Sequence, residues 1–476
     1  MKKKRSYLVG KASLLVSLVA IASRSPAHAQ IIPDSTLSTT VTSPDNQNFV
    51  IENGDRTGNN IFHSFSDFSI PTNGSAIFNN AADIENIFGR ITGGNASDID
   101  GLIQSNGTAN VFLFNPNGIF FGENASLNIG GSFVATTAES ILFSDNVEFS
   151  ATDVSPAPLL MMSTPVGLSL DANPGPITVA GPGHGLTLNF STFTPIRDNR
   201  PMGLQVNTGQ TLALLGGNVL MEGGNLTANQ GRIALGSVAQ AGMVSLIPAA
   251  NGFTLDYANI DSFGDLTFTQ AASVDVSGEG SGNLHFQAGN LAVLETSAII
   301  SNVLGAEQGG DVRVRVSESV EIRGSQTGEF PSGFFIQGEL GSTGDVGSLL
   351  IETGRLEIAE IAVIFSSISG AGNGGSLIIV ANEVDLKNDT PFSGGVVTSL
   401  STQVSPNGTG QGGDLVIDAG TFRNFGKRVF INSSTLGRGN AGNITIQADV
   451  LEMTGEVSPL AGRHNGSTPD MPVSLS

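Results

Sequence analysis

The second half of the chain repeats a pattern in which apolar and polar residues alternate behind a glycine. Each copy opens with Gly, continues with a small or acidic residue, and then alternates; the opening glycines are residues 282, 310, 347, 375, 413 and 442. In the last copy, Ile444, Ile446 and Ala448 alternate with the polar Thr445 and Gln447. A period of two places the two sets on opposite faces of an extended chain, which predicts half-buried strands.

The copies recur at spacings of 28, 37, 28, 38 and 29 residues, and most continue into a second short strand, as at residues 320–322. Equivalent strands that recur behind glycine-rich turns predict a solenoid in which each coil stacks on the previous one. The rival architecture is a β-propeller, whose four-stranded units would be longer and would carry an aromatic signature in each blade. The chain contains no Trp, and we favour an all-β parallel β-helix with capped ends.

In the first half, a four-residue turn separates two bulky apolar runs within the sequence VFLFNPNGIFFG, residues 111–122. A type I turn favours Asn, Pro and Gly at its first, second and fourth positions, which are Asn115, Pro116 and Gly118; Asn117 is suited to the third. Neither flanking run alternates, so we expect both strands to be covered on two faces.

Residues 151–201 hold eight of the 20 prolines of the chain. Because proline cannot donate a hydrogen bond to a sheet, we expect loops and edge strands that pack on the rod. The segment is not interpreted as a linker, because it has apolar residues to bury: Leu159, Leu160, Leu168, Ile177 and Leu188.

The first 29 residues are typical of a secretory signal peptide. Residues 2–5 are basic, residues 12–22 are apolar, and Ala27-His28-Ala29 provides the small-x-small pattern of a cleavage site, so we expect cleavage between Ala29 and Gln30. The apolar stretch is too short to span a bilayer, and no later stretch approaches 18 apolar residues. We therefore expect an exported protein without stable membrane insertion.

The composition of the chain disfavours one class of partner and indicates how the fold is stabilised. The net charge is −21, and six of the 21 Lys and Arg residues lie in the expected signal peptide, so the remainder is strongly acidic and nucleic acid is a poor candidate partner. There is no Cys, and an exported fold without disulfides must depend on burial and hydrogen bonding. Only 13% of residues are charged, which is too few for a disordered chain.

Several ordered phrases of the first half resemble a known family. They include IENGDRTGNNIFHSFSDFSIP, NIFGRITGGNASDIDGLIQSNGTANVFLFNPNGIFFGENASLNIGGSFVATTAESILF and GQTLALLGGNVLMEGGNLTANQGRIALGSV. These phrases resemble the N-terminal haemagglutination-activity domain of filamentous-haemagglutinin-type exoproteins, which are the secreted partners of two-partner secretion systems. The form is similar to that of cyanobacterial members, and the resemblance extends to about residue 246.

The resemblance implies a right-handed, single-stranded parallel β-helix with an N-terminal cap and extra-helical β elements. It also implies that the N-terminal domain is a secretion signal, recognised by an outer-membrane transporter of the Omp85 type through its periplasmic POTRA domains. The family's secretion motif falls on Asn115, Pro116, Asn117 and Gly118. Two roles stay open for these residues: direct contact with the transporter, or formation of the first coils.

We accordingly divide the chain into a signal peptide (1–29), a haemagglutination-activity or two-partner-secretion domain (30–255, with the irregular proline-rich part 151–201) and β-helix repeats (256–476). The expected product is an adhesin-like exoprotein, secreted or held at the cell surface after passage through Sec and the periplasm. Its expected partner outside the cell is a surface receptor or glycan. The chain ends in loose polar sequence, so truncation is an open alternative.

No residue pattern predicts a catalytic, cofactor or metal site. The histidines at 63, 184, 285 and 464 lack zinc-ligand spacing, and Asp98-Ile99-Asp100-Gly101 is interpreted as a turn. The enzyme alternative is a polysaccharide lyase or hydrolase built on a β-helix, which would gather three or more carboxylates in one groove. A toxin-delivery protein would need a distinct globular C-terminal domain, which the sequence does not predict.

Overall fold

A computed structural model describes residues 30–154, 164–249, 252–325, 330–388, 397–426 and 429–454, together with residues 461–463 and 473–475. The expected signal peptide lies outside the described residues, as do Leu159 and Leu160 of the proline-rich segment.

Every regular element in these ranges is a β-strand. The strands before residue 155 are Ile31–Pro33 (β1), Thr40–Thr42 (β2), Asn48–Glu52 (β3), Asp55–Thr57 (β4), Asn60–Phe68 (β5), Ser75–Phe78 (β6), Asn86–Ile91 (β7), Ser97–Ile99 (β8), Leu102–Ser105 (β9), Asn110–Phe114 (β10), Ile119–Phe121 (β11), Ser126–Asn128 (β12), Phe133–Thr136 (β13), Ser140–Phe143 (β14) and Glu148–Ser150 (β15). The strands from residue 164 to residue 276 are Pro165–Leu170 (β16), Ile177–Ala180 (β17), Thr187–Asn189 (β18), Thr194–Ile196 (β19), Leu204–Gln205 (β20), Thr211–Gly216 (β21), Val219–Glu222 (β22), Asn225–Thr227 (β23), Arg232–Ser237 (β24), Gly242–Ala249 (β25), Gly252–Asp256 (β26), Asp265–Thr269 (β27) and Ser273–Asp275 (β28). The remaining strands are Asn283–Leu294 (β29), Ala298–Val303 (β30), Val312–Arg323 (β31), Ser332–Gly338 (β32), Leu349–Ala359 (β33), Ala362–Ile368 (β34), Leu377–Asn388 (β35), Thr398–Val404 (β36), Leu415–Gly426 (β37), Val429–Thr435 (β38), Ile444–Thr454 (β39), Ala461–Arg463 (β40) and Val473–Leu475 (β41).

The strands stack in three parallel columns, which we call the first, second and third faces of the rod. The first face runs β5, β7, β10, β13, β21 and β24 and continues through the leading halves of β29, β31, β33, β35, β37 and β39. The second face runs β8, β11, β17, β22 and β27 and continues through the trailing halves of the same long strands. The third face runs β3, β6, β9 and β12, then β20, β23, β28, β30, β32, β34, β36 and β38. The predicted parallel β-helix is confirmed.

The recurring glycines mark the points where successive coils touch most closely. A Cβ atom on Gly375 would overlap the carbonyl of Gly347, and one on Gly413 would overlap the carbonyl of Gly375. The same holds for Gly347 over Gly310 and for Gly442 over Gly413. Only glycine lets the backbone of one coil lie against the backbone of the next at this corner.

The residue after each repeat glycine forms a polar ladder along the rod. The Asp311 amide donates to Asn283 Oδ1 at 3.1 Å, and the Ser348 amide donates to Asp311 Oδ1 at 3.1 Å. Farther along, the Asn443 amide donates to Asp414 Oδ1 at 2.7 Å. A side chain of one coil thus accepts the backbone N–H of the equivalent residue in the next coil, which explains why the position is small or acidic.

The N-terminal end of the rod is closed by antiparallel strands. β1 and β4 both pair with β5, the first rung of the first face, while β2 pairs with β3 on the third face. These short strands occupy the hydrogen-bonding edge that the first coil would otherwise expose, as expected for a capped rod.

The outer surface of the first face is covered by a five-stranded antiparallel sheet, in the order β15, β14, β16, β25 and β26. Beneath it, the rings of Phe62, Phe88 and Phe112 stack along three successive coils with centroid distances of 5.0 and 4.9 Å. Phe143 and Phe149 of the covering sheet meet this stack edge-on. The first face therefore has one core inside the rod and a second core outside it.

A second excursion, residues 181–203, crosses the outer surface of the third face, and we call it the strap. Arg200 is buried and donates to Ser273 Oγ, Thr227 Oγ1 and the Leu226 carbonyl, each at 2.8 Å. Farther along the rod, the Phe193 ring lies 4.7 Å from that of Phe365. The strap thus joins coils that lie far apart in sequence.

The described parts of the proline-rich segment, residues 151–154 and 164–201, accordingly pack on the rod as predicted, with one difference. β17 is an internal rung, because it pairs with β11 on one side and with β22 on the other. Pro174 and Pro176 lie just before this strand, where a missing N–H does not interrupt the ladder. The apolar residues Leu168, Ile177 and Leu188 are buried, as expected.

Three histidines are held in environments that disfavour the protonated ring. Burial lowers the pKa of His63, His184 and His285 to about 4 in each case. At His184 the Leu186 amide donates to Nδ1 at 2.8 Å, so Nε2 carries the hydrogen and donates to the Thr296 carbonyl at 2.7 Å. This pattern requires a neutral ring.

A first prediction concerns the glycine column. Gly375→Ala forces two coils apart and is expected to destabilise the rod by about 1–3 kcal/mol, measured as a lower midpoint in urea unfolding. Gly94→Ala is the matched control, because no atom lies within 4 Å of a Cβ atom at that position. Equal midpoints for the two variants would contradict the role assigned to the column.

A second prediction concerns acid. Because the folded-state pKa of these histidines lies near 4 and the unfolded value near 6.5, the unfolded chain binds more protons between these values. The free energy of unfolding should therefore fall as the pH drops from about 6.5 to about 4, by about 3 kcal/mol for the full titration of His184. His184→Gln should flatten this part of the profile, and an unchanged slope would show that His184 does not contribute.

Candidate functional site

The turn singled out in the sequence lies between β10 and β11, at the corner where the first face meets the second. The Gly118 amide donates to the Asn115 carbonyl at 3.1 Å, and the Asn117 amide donates to Asn115 Oδ1 at 3.0 Å. Gly118 has φ of +118°, which few residues other than glycine adopt. The predicted hydrogen-bonded turn is therefore confirmed.

Both asparagines of the turn bind the preceding coil. Asn115 Nδ2 donates to the Asn95 carbonyl at 2.9 Å and to Ser97 Oγ at 3.0 Å, while Asn117 Nδ2 donates to the Gly93 carbonyl at 2.7 Å. Since Asn115 Oδ1 also accepts from within the turn, this one side chain fixes the local conformation and joins two coils.

The other two turn residues meet the following coil. The Pro116 carbonyl accepts the Gly175 amide at 3.0 Å, and the Ile119 amide donates to the Pro176 carbonyl at 3.0 Å. A Cβ atom on Gly175 would overlap Asn117 and Gly118, so the corner turns are in close backbone contact. The four residues therefore connect three successive coils.

The four residues of the turn differ in how much of each is exposed to solvent. Asn115 and Gly118 are buried, Pro116 is half-buried, and Asn117 is exposed. A protein that met the folded rod would reach only Pro116 and Asn117. Contact with Asn115 or Gly118 requires a chain in which these coils are not yet closed.

The strands beside the turn differ in their cover. β10 is buried on both sides, with Val111 and Leu113 inside the rod and Phe112 and Phe114 under the outer sheet, so the expectation of two covered faces is confirmed there. β11 instead alternates, because Phe120 is only half-buried. The expectation was wrong for β11 because the outer sheet covers the first face and not the second.

A buried arginine that the sequence analysis did not select holds the same region together. Arg90, in β7, donates through Nε to Ser64 Oγ at 2.7 Å and through Nη2 to Thr36 Oγ1 at 2.9 Å. It also donates to the Ser150 carbonyl, and its guanidinium lies 4.5 Å from the centroid of the Phe149 ring. Arg90 thus joins the cap, the rod and the outer sheet; a lone arginine inside the apolar phrase IFGRI was the available signal.

A groove on the rod tests the enzyme alternative. It measures about 430 Å³ and lies where β33, β35, β37 and β39 bend, with Glu352, Asp418 and Asp449 among its lining residues. Val380 stands between Glu352 and Asp418 in the strand register, which places these two carboxylates two rungs, or about 10 Å, apart. Glu352 is also paired with Arg315 at 2.7 Å.

The part of the chain that the structure describes offers neither a metal site nor a membrane-spanning helix. That part holds no group of three or more His, Cys, Asp or Glu side chains arranged to bind a metal ion. It likewise contains no helix whose length and apolar character would suit a membrane span.

Comparison with known proteins gives a family match that covers more than half of the chain. Residues 29–286 match the family model described as the TPS secretion domain. A 59-residue segment is 44% identical to the heme/hemopexin-binding protein of Haemophilus influenzae, which is 12% of this chain and 6% of that protein. The matched segment therefore spans a small fraction of this curated relative.

Two solved structures are similar over most of the rod. The HMW1 secretion domain of Haemophilus influenzae aligns over 90% of this chain and 95% of its own, with a TM-score of 0.43 and 15% identity. The filamentous hemagglutinin secretion domain aligns over 86% and 99%, with a TM-score of 0.31 and 14% identity. The assignment of a family rests on the family model and not on these structures.

Proposed function

The chain belongs to the family of the TPS secretion domain, and from this premise we propose that it is an adhesin-like rod whose first coils serve as secretion signal and folding nucleus. As a member of this family it is a two-partner exoprotein, which crosses the outer membrane through a dedicated transporter. The proposal concerns how its residues accomplish this, and what the rod does afterwards.

We propose that the transporter recognises the chain before the rod folds. In the rod, β10 is paired on both edges, with β7 and with β13, and both of its faces are buried. No backbone group of this strand remains for a transporter to bind. The same segment in an extended periplasmic chain, delivered by Sec, has unpaired backbone groups and can add to the edge of a POTRA sheet, where backbone bonds supply affinity and side chains supply specificity.

The turn then acts when the chain emerges. Asn115 and Gly118 are buried in contacts to the coils before and after them, so their side-chain and backbone geometry is used in closing the third coil. We assign Asn115, Pro116, Asn117 and Gly118 to formation of the first coils and not to a docking surface on the folded rod. Of the two roles that the sequence leaves open, the proposal thus favours formation of the first coils over direct contact with the transporter.

The order in which the coils fold favours outward movement of the chain through the transporter. Each coil that forms outside buries apolar residues against the previous one, at about 25 cal/mol per Å² of apolar area, and thereby disfavours return of the chain. The cap and the outer sheet stabilise the earliest coils, which consequently present a finished rung for the next. In this scheme residues 30–255 nucleate and residues 256–476 extend the rod.

We assign no catalytic role to the rod. The groove is lined by three carboxylates, as the enzyme alternative requires, but Glu352 is already paired with Arg315 at 2.7 Å, and the family match supports a secreted exoprotein instead. An adhesive role requires only exposed side chains on a stable rod.

The test substitutes the two asparagines separately. Asn115→Ala removes the bonds to Asn95, Ser97 and Asn117 and should destabilise the purified rod by about 1–3 kcal/mol, slow its refolding and lower the extracellular fraction in cells that contain the transporter. Asn117→Ala, which removes bonds of an exposed side chain, should have a smaller effect on all three. Asn128→Asp, at an exposed position, is the control.

Affinity for the isolated POTRA domains separates folding from recognition. If Asn115 acts in folding, the unfolded Asn115→Ala variant binds these domains as the parent does, although its refolding is slower. A loss of POTRA affinity with normal refolding would instead assign the motif to recognition. Normal export of the variant would remove the motif from the mechanism.

A further inference from the structure

The strap is fastened to the rod at both of its ends. Near its start, the Gly183 carbonyl accepts Asn225 Nδ2 at 3.1 Å. Near its end, Arg200 donates to Ser273 Oγ and Thr227 Oγ1, each at 2.8 Å. These partners belong to β23 and β28, which are adjacent rungs of the third face. Both ends of the strap therefore lie on coils whose third-face strands are complete by residue 275.

Between its ends the strap forms a hairpin that extends over the coils that follow. β18 and β19 pair in antiparallel orientation. Leu186 and Leu188 are buried in one core with apolar residues of β30, β32 and β34. These three strands are the next rungs of the third face after β28. The hairpin thus reaches beyond the coils that hold its ends, in the direction in which the chain continues.

Side-chain contacts at the far end of the hairpin hold it to these later coils. The Phe193 ring lies 4.7 Å from that of Phe365 in β34, and the Phe193 carbonyl accepts Gln337 Nε2 at 3.1 Å. Arg197 donates to Glu339 Oε1 at 2.5 Å. The match to the secretion-domain family ends at residue 286. The strap therefore belongs to the family domain, whereas the surface that its hairpin covers lies farther along the chain.

The conformation of the hairpin depends on these contacts. An isolated two-stranded hairpin is marginally stable in water, and each strand of this one has three residues. Phe193 also has φ of +57°, in the left-handed region that a bulky side chain rarely adopts. Such a conformation persists where the surrounding structure fixes it. We therefore expect the hairpin to become ordered after β30, β32 and β34 have formed.

We propose that the strap is a lock, which closes after the coils beneath it have formed. Once closed, it joins the coils of β23 and β28 to those of β32 and β34, so separation of these coils must also break the contacts of the strap. Contacts that form after the transition state of folding slow unfolding without accelerating folding. The lock itself is independent of the proposed secretion signal, but its role in holding exported coils outside rests on the proposed order of folding.

Unfolding and refolding rates of the purified full-length chain test the lock. Phe193→Ala removes the ring contact with Phe365, so the unfolding rate in urea should rise about tenfold while the refolding rate stays unchanged. Arg197→Met, which removes the ion pair with Glu339, should change the rates in the same direction. Phe190→Ala is the matched control, because Phe190 belongs to the same hairpin but is 66% exposed. It should leave both rates unchanged.

Two outcomes of these rate measurements would overturn the proposal. Slower refolding of Phe193→Ala would mean that the strap guides assembly of the coils, and an unchanged unfolding rate would mean that it does not lock them. Closure can also be followed directly, because the chain contains no Trp and Phe193→Trp introduces a single indole beside Phe365. During refolding, the change in indole fluorescence should follow the far-UV circular dichroism change of strand formation. Fluorescence that changes first would likewise overturn the proposal.

Cells that contain the transporter separate the lock from the secretion signal. Phe193→Ala should reach the medium, and the exported variant should be cleaved by added protease faster than the parent chain. If Phe193→Ala unfolds faster but Asn115→Ala is exported normally, the lock stands and the secretion role of the turn is wrong. If Asn115→Ala is not exported but Phe193→Ala unfolds at the parent rate, the secretion role stands and the lock is wrong.

Discussion

The structure depends on backbone hydrogen bonding between successive coils at the spacing of paired strands. That constraint decides which residues stand at the corners. Where backbones touch, as at Gly347, Gly375 and Gly413, no Cβ atom fits. Where the corner leaves an N–H facing the previous coil, an Asn, Asp or Ser side chain of that coil accepts it. Apolar burial supplies most of the driving force, but the corners set the register in which the faces stack.

The same constraint gives the N-terminal part its special position. The first coil has no preceding coil to pair with, so the first coils need support from outside the solenoid. The antiparallel cap and Arg90 provide part of this support. The outer sheet that covers Phe62, Phe88 and Phe112 provides the rest. The turn at Asn115 then connects these coils, because it forms hydrogen bonds to the coil before it and to the coil after it. Under our proposal, secretion and folding use the same residues because export delivers the chain in the order in which the rod grows.

The sequence predicts the strands that repeat at a regular period, but it does not predict the contacts between segments that follow no period. The alternation behind each repeat glycine identified the strands, and the turn at Asn115 was recognisable from its residues alone. The strap contacts were not, because Arg197 and Glu339 are 142 residues apart and obey no period. Likewise Phe120 and Phe112 look alike in sequence, and only the outer sheet over one face distinguishes them.

Pulse-labelling hydrogen exchange during refolding of the purified chain tests the central claim most directly. If the first coils form the nucleus on which later coils stack, amides of β5, β7, β10 and β13 should gain protection first, followed in chain order by those of β29 to β39. Protection that appears first in β29 to β39, or in all coils at the same rate, would contradict the account.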